Sequence, residues 1–353
     1  MEFAPMNGDA SRLYFVVSGE HPTLPKAELL AILETLGVSH SIETTSYKLV
    51  EVEAPPSCLQ EVVRRGGFVD EGGTVLLRSR ATYDAIADSV KMVDVNGRLS
   101  KRDKFSVRVD RFGEDTDEVS TVKLESTVGA LLADKSGAKV DLQRPSKLFR
   151  GILTGGDFYF GQLIQSRVRG SVRSRLPRKR PVFHPSTMVP KLARCMVNLS
   201  HAREGRVLLD PFCGVGGILI EACLVGSHVV GVDALTKMLR GARRNLAHFG
   251  FTPLGLIRGD ARSLPLERAD AIATDPPYGT GASTLRSTTR KILEGFLPHA
   301  RNILKAGNKA VVASPLGTRT SDLAEANGFR ILDRHQVYVH RSLTREILVM
   351  GAV

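Results

Sequence analysis

Between residues 207 and 275 one pattern recurs: a short apolar run ends in or near an acid and gives way to a turn. Val207-Leu-Leu-Asp210 runs into Pro-Phe-Cys-Gly-Val-Gly-Gly217, and His228-Val-Val-Gly-Val-Asp233 follows. Leu254 to Ile257 ends near Asp260-Ala261, and residues 270–274 lead to Asp275. The spacing predicts helices over Ile218 to Leu224 and Leu235 to His248. Strands alternating with helices require a parallel sheet covered on both faces. Further on, Thr284 to Leu304 reads mostly as helix, Lys309 to Ala313 as a strand and Asp322 to Asn327 as a short helix. Residues 330–339 and 345–350 read as two final antiparallel strands. Ligands of such sheets bind beyond the carboxyl ends of the strands. Asp210, Asp233, Asp260 and Asp275 therefore converge on one crevice.

The fourth of these turns is the most specific. Asp275-Pro-Pro-Tyr278 stops its strand with two residues that cannot donate backbone hydrogen bonds, and Pro277 biases Pro276 toward an extended shape. The Asp275 carboxylate and the Pro276 carbonyl are thereby fixed as acceptors, with an aromatic ring close behind. A flat group bearing an NH2 suits such a corner: the acceptors take its two N–H bonds and Tyr278 covers its face. A Pro-rich turn that merely punctuates the chain is the plain alternative.

The first turn adds the second half of the chemistry. Glycine lets a ligand approach the backbone, and Asp233, about 20 residues on, has the spacing of a ribose-binding acid. A dinucleotide would bring a pyrophosphate, which Asp210, directly before the glycine turn, would repel. An acid there suits a cation such as the amino group or sulfonium of S-adenosylmethionine. Upstream, Arg180-Pro-Val-Phe-His-Pro-Ser-Thr-Met-Val-Pro190 enters a helix over Lys191 to Leu199, which Ser186 or Thr187 can cap.

Composition narrows the partners. The chain has 353 residues, 42% hydrophobic, with a net charge of +12, so it is globular and favours a polyanion such as nucleic acid. Cys58, Cys195, Cys213 and Cys223 show no metal-ligand spacing and read as reduced thiols of a cytoplasmic protein. No metal site, no signal peptide and no membrane span is expected.

In the first half, Leu13 to Val17 is a strand, Pro25 opens a helix that Gly37 stops, and residues 47–53 and 73–80 are strands around a helix at Leu59 to Val63. The pattern restarts near Thr82 with helices over Tyr83 to Val90 and Thr121 to Leu132 and a strand over Lys104 to Val109. Phe149 to Leu153 and Phe158 to Leu163 are joined through Gly155-Gly-Asp157 as a hairpin. Phe105-Ser-Val-Arg-Val-Asp-Arg-Phe112, Val140-Asp-Leu-Gln-Arg-Pro145 and Phe158-Tyr-Phe-Gly-Gln-Leu-Ile164 resemble a THUMP domain, a module of RNA-modifying enzymes, over about residues 85–165. That resemblance implies binding near the 3′ acceptor end of tRNA. Residues 166–180 hold seven basic side chains, Arg167, Arg169, Arg173, Arg175, Arg178, Lys179 and Arg180, and no acid. They are expected to form an extended linker that contacts phosphates; a solvated linker with no ligand is the alternative.

Residues 183–353 resemble the class I S-adenosylmethionine-dependent methyltransferases, in the amino-methylating branch marked by Asp275-Pro-Pro-Tyr278. Together with the THUMP-like part, Phe183-His-Pro-Ser-Thr-Met188 and Ser18-Gly-Glu-His-Pro22, the whole chain resembles the archaeal tRNA (guanine-10-N2) methyltransferase family. The resemblance implies an α/β fold: a C-terminal Rossmann-like domain with a mainly parallel seven-stranded sheet, behind an N-terminal α+β region. The expected domains are 1–81, a THUMP domain at 82–165, a basic linker at 166–182 and the methyltransferase domain at 183–353. It implies that Asp210, Phe212, Gly214 and Gly216 cradle the methionine end of the cofactor. Asp233 would hold the ribose, Asp260 with the Ala261 amide the adenine, and Phe183, His184, Pro185 and Thr187 would flank the pocket. Asp275, Pro276, Pro277 and Tyr278 would carry catalysis on the N2 amine of guanine. Gly214-Val-Gly-Gly-Ile218 departs from the family's glycine spacing at its last position. A monomer acting on tRNA is expected, and the need for a small activator subunit stays open. Another guanine or adenine amine in RNA or DNA, or an inactive RNA-binding protein, remains the rival reading.

Overall fold

A computed structural model describes residues 9–113, 119–168, 170–264, 266–278 and 288–353. The expected start of the long helix at 284–287 lies outside the described residues, as does Arg169. Two sheets organise the chain. The C-terminal sheet has seven strands in the order Gly255–Arg258, His228–Asp233, Val207–Asp210, Ala269–Thr274, Leu304–Pro315, Leu343–Ala352, Phe329–His340. The first five run parallel and the last two form an antiparallel hairpin. The strands alternate between two apolar layers. Ala271, Ala273, Val311 and Val349 pack with helices Pro190–Leu199 and Gly217–Leu224, while Ile272, Ala310, Val312 and Leu348 pack with helix Thr289–Ile303. Burial on both faces is what near-continuous apolar strands require.

The N-terminal sheet has eight strands, ordered Ser41–Ser46, Leu49–Ala54, Ser11–Val17, Val69–Arg80, Asp157–Ser166, Lys147–Thr154, Lys104–Arg111, Lys139–Val140. Val69–Arg80 pairs with Ser11–Val17 on one side and with Asp157–Ser166 on the other, so residues before and after position 82 share one sheet. The strands close tightly there: a Cβ on Gly73 would lie 2.1 Å from the Gln162 carbonyl, and one on Gly161 would lie 2.2 Å from the Thr74 carbonyl. Only glycine permits that approach. Ser41–Ser46 was not expected as a strand; Ser-Ile-Glu-Thr-Thr-Ser lacks an apolar face, and its pairing to Leu49–Ala54 places it at the sheet edge.

The N-terminal half is fused to the C-terminal one through buried polar contacts. Glu28 of helix Leu24–Thr35 accepts from the Gly67 and Phe68 amides at 2.7 Å and from Asn198 Nδ2 at 2.7 Å. Arg65 Nε donates to Asn198 Oδ1 at 3.0 Å. Buried carboxylates need such partners. Leu24, Ala31 and Phe68 enter the same apolar layer as Leu192 and Met196. No helix among the described residues is long and apolar enough to cross a membrane.

Candidate active site

The carboxyl ends of the four parallel strands bring the four acids to one cleft with two connected chambers. The inner chamber, about 420 Å³, is bounded by Thr187, Asp210, Cys213, Gly217 and Asp275 among others. The outer one, about 760 Å³, is bounded by Asp233, Leu235, Met238, Asp260, Ala261, Arg262, Pro277 and Ile292 among others. His184, Ser186, Phe212, Gly214 and Asp275 belong to both walls.

Each acid has a different local role. Asp233 Oδ2 accepts from the Gly214 amide at 3.0 Å and Oδ1 from the Leu235 amide at 2.8 Å, tying the glycine turn to the start of helix Thr236–His248. Burial holds its carboxyl above the usual range, against those two bonds. Asp210 is buried, accepting from Thr274 Oγ1 at 2.7 Å and from the Phe212 amide at 3.1 Å. Burial pushes it up to about 7. Asp260 is gripped by Arg262, Nη2 to Oδ2 at 2.6 Å, and this bond holds its carboxyl below the usual range.

Asp275 has the most developed surroundings. Its Oδ1 accepts from the Tyr278 hydroxyl and its Oδ2 lies 3.1 Å from Arg345 Nη2. Arg345 Nε also donates to the Tyr278 hydroxyl at 3.1 Å. Burial raises the Asp275 carboxyl, and Arg345 opposes that rise. Pro276 is buried, and the Pro277 carbonyl accepts from Thr289 Oγ1 at 3.2 Å, which pins the corner to helix Thr289–Ile303.

Several expected residues stand elsewhere. Gly214 is left-handed, with open space where a Cβ would be, and lines both chambers. Gly216, at φ +83°, faces Ala242 instead; a Cβ there would lie 3.3 Å away, so this glycine lets two helices pack. Phe183 is half-exposed under the Arg178 guanidinium, 5.9 Å from its ring centroid, and none of Phe183, Pro185, Pro276 and Tyr278 is among the residues that bound the two chambers.

The basic run departs from its expectation. Arg173 to Arg175 and Pro177 to Lys179 form single turns, and three of its arginines turn inward. Arg167 donates to the Gly67 carbonyl at 2.7 Å and to the Val69 carbonyl. Arg175 Nε pairs with buried Glu221 at 2.8 Å, beside Arg194 at 2.8 Å from the same carboxylate. Arg180 is buried and donates from Nε to the Arg175 carbonyl at 2.8 Å. The guanidinium fork matches carboxylate and carbonyl oxygens geometrically, although Nη1 and Nη2 of Arg180 are buried without a hydrogen-bond partner among the described residues. Arg173, Arg178 and Lys179 remain exposed.

Sequence reasoning missed Arg345, 67 residues beyond Tyr278 on the other side of a hairpin. It also missed Leu235, Met238 and Ile292, which local periodicity cannot separate from core. Among the described residues no cluster of His, Cys, Asp and Glu could hold a metal.

The chamber walls suit a cationic nucleoside. Asp210 and Asp275 face the inner chamber with His184 as its one titratable base, and Arg262 of the outer chamber is already paired with Asp260. Among the described residues lining the two chambers, a pyrophosphate finds no unpaired lysine or arginine.

Comparison with known proteins gives a consistent picture. Residues 177–347 match a family model described as "RMKL-like, methyltransferase domain". A tRNA (guanine(10)-N2)-dimethyltransferase of Methanothermobacter thermautotrophicus is 38% identical over 96% of this chain and 98% of its own length. One of the same name from Methanocaldococcus jannaschii is 32% identical over 95% and 98%. The solved structure of TrmN from Thermus thermophilus superposes with a TM-score of 0.56 at 22% identity, covering 97% of this chain and all of that one, which shows a shared fold.

Proposed function

The chain belongs to the family of tRNA (guanine(10)-N2)-dimethyltransferases, and from that premise we propose that it uses S-adenosylmethionine to methylate the exocyclic N2 amine of guanine 10 in tRNA, through to the dimethylated base. The observation that carries the reading is the position of Asp275, in the wall common to the acid-lined inner chamber and the outer one.

When bound, the cofactor supplies an electrophilic methyl group on a sulfonium. Asp233 would hold the ribose, Asp260 and the Ala261 amide the adenine, and Asp210 and His184 the charged end. The exocyclic amine of guanine is a poor nucleophile, because its lone pair is spread into the ring. Asp275 and the Pro276 carbonyl take its hydrogens and orient that lone pair toward the methyl. This is catalysis by positioning and charge stabilisation. As the N–C bond forms, the methyl group's bond to sulfur would break with its electron pair kept by sulfur, nitrogen would become positive, and Asp275, the carboxylate at that corner, would stabilise the charge and accept the departing proton. The Tyr278 ring offers a stacking surface, worth roughly 1–3 kcal/mol per base. A paired guanine must be flipped out to reach this cleft.

For RNA binding, the THUMP-like part at 82–165 takes the acceptor end, and exposed Arg173, Arg178 and Lys179 contact phosphates. Free Cys58, Cys195, Cys213 and Cys223 support a reducing, cytoplasmic setting. The test is incubation with unmodified tRNA and the cofactor, followed by nucleoside mapping by mass spectrometry. N2-methyl and N2,N2-dimethylguanosine at position 10 are expected. Methyl groups at another nucleotide, or on adenine, would overturn the assignment.

A further inference from the structure

We propose that Arg345 is a positioning residue, one that holds the Asp275 carboxylate and the Tyr278 ring as a single unit. The inference rests on the methyl-transfer reading above and adds a residue to it.

The geometry is closed on three sides. Arg345 Nη2 lies 3.1 Å from Asp275 Oδ2, Arg345 Nε donates to the Tyr278 hydroxyl at 3.1 Å, and that hydroxyl donates to Asp275 Oδ1. The guanidinium carbon is 5.4 Å from the Tyr278 ring centroid, within the range of a cation–π contact. The Arg345 and Asp275 side chains are 12% and 13% exposed. Arg345 reaches this corner because its strand, Leu343–Ala352, runs antiparallel beside Leu304–Pro315, with Arg345 opposite Pro315 at the catalytic edge. Asp275 otherwise faces acids: Asp210 feels its charge, and Asp233 lines the outer chamber with it. His184 shares both walls, and among the described residues Arg345 is the cation paired with Asp275. Without that partner the carboxylate would stand nearly dry and uncompensated, a state that a protein avoids by protonating it.

Each oxygen of Asp275 has one partner here and keeps a second lone pair, so the substrate N–H can bond to Oδ1 beside the tyrosine hydroxyl or in its place. In either case the hydroxyl accepts from Arg345 Nε, so the ring stays over the corner and Oδ2 stays anchored. Arg345 thus acts through Asp275 and Tyr278 and touches no reacting atom.

The experiment uses the full chain with Arg345→Gln and Arg345→Lys, single-turnover methyl transfer to tRNA across a pH series, and binding of S-adenosylhomocysteine. Arg345→Gln is expected to slow transfer roughly 100-fold, the scale of an ångström misplacement, with cofactor-product affinity within a few-fold. The acidic limb of its pH profile moves to higher pH, because burial then acts on Asp275 without the opposing cation. Arg345→Lys restores the limb but leaves the rate about 10-fold down, since one ammonium cannot bridge both partners. In protein labelled with 13C at aspartate, without cofactor or RNA, the Asp275 resonance, assigned by its loss in Asp275→Asn, titrates at higher pH in Arg345→Gln. A wild-type rate and limb in Arg345→Gln overturns the proposal. So does a slower rate with the limb and the carboxyl titration unmoved, which marks a structural role alone. If Arg345→Gln does not fold, a wild-type rate in Arg345→Lys overturns it equally. Wild-type protein that transfers no methyl to tRNA would sink the methyl-transfer reading instead, and the 13C titration still decides the Arg345 pairing.

Discussion

The acids at the strand ends and the arginines of residues 166–180 look alike in sequence, each a set of like charges waiting for a ligand, yet the fold treats them differently. Asp210, Asp233, Asp260 and Asp275 all border one cleft. The arginines divide: Arg175 and Arg180 turn inward, while Arg173 and Arg178 face solvent. A short carboxylate at the end of a parallel strand has its position set by the sheet. A long guanidinium goes wherever a buried acid or carbonyl lies within reach, and that depends on distant elements. Glu221, in the helix after the glycine turn, is such an acid.

The sharpest way to break this contrast is at Glu221. Glu221→Gln removes the carboxylate that answers Arg175 and Arg194, leaving two cations in a dry site. The expected loss is about 3–5 kcal/mol of unfolding free energy, read by urea titration. A change near zero would mean that the inward arginines are ordinary surface residues. The outward set is tested by replacing Arg173, Arg178 and Lys179 together with alanine. Stability should hold, tRNA binding should weaken, and the slope of log affinity against log salt should fall by about 2–3, near one per lost phosphate contact. Arg175→Ala should do the reverse, lowering stability with the slope unmoved. An equal slope change in both variants would erase the distinction.

The reasons for what could and could not be read in advance follow from the same contrast. The strand–acid–turn–helix period placed the parallel strands of the C-terminal sheet, whose central members are apolar on both faces and bounded by turn residues, and the final antiparallel pair was read from its own β-branched and apolar runs. The Asp275 corner was legible because two prolines leave the backbone few choices. Gly214 and Gly216 could not be told apart, since one faces a cleft and the other a helix, and that is decided by Ala242. Arg345 carried no local signal: its meaning comes from being opposite Pro315 in the register of a strand that returns from the far edge. The inward turn of Arg175 depended on an acid 46 residues away.

A subtler effect sharpens the picture of the acids. Asp210, pushed up to about 7 by burial, binds its proton more tightly folded than unfolded. Its contribution to stability is therefore greatest below the ordinary carboxylate range and is lost as pH rises toward about 7, levelling above it. Burial raises Asp233 and Asp275 as well, so they act in the same direction. Urea midpoints of the cofactor-free protein should fall over that window, and the fall should be shallower in Asp210→Asn. An identical slope in the variant would remove Asp210 from the cause.

The most direct test of the account is methyl transfer to tRNA by Asp275→Ala, measured beside its tRNA affinity. Transfer should be abolished while affinity stays within a few-fold of wild type. Unchanged turnover would contradict the assignment of this carboxylate, and with it the chemistry proposed for the cleft.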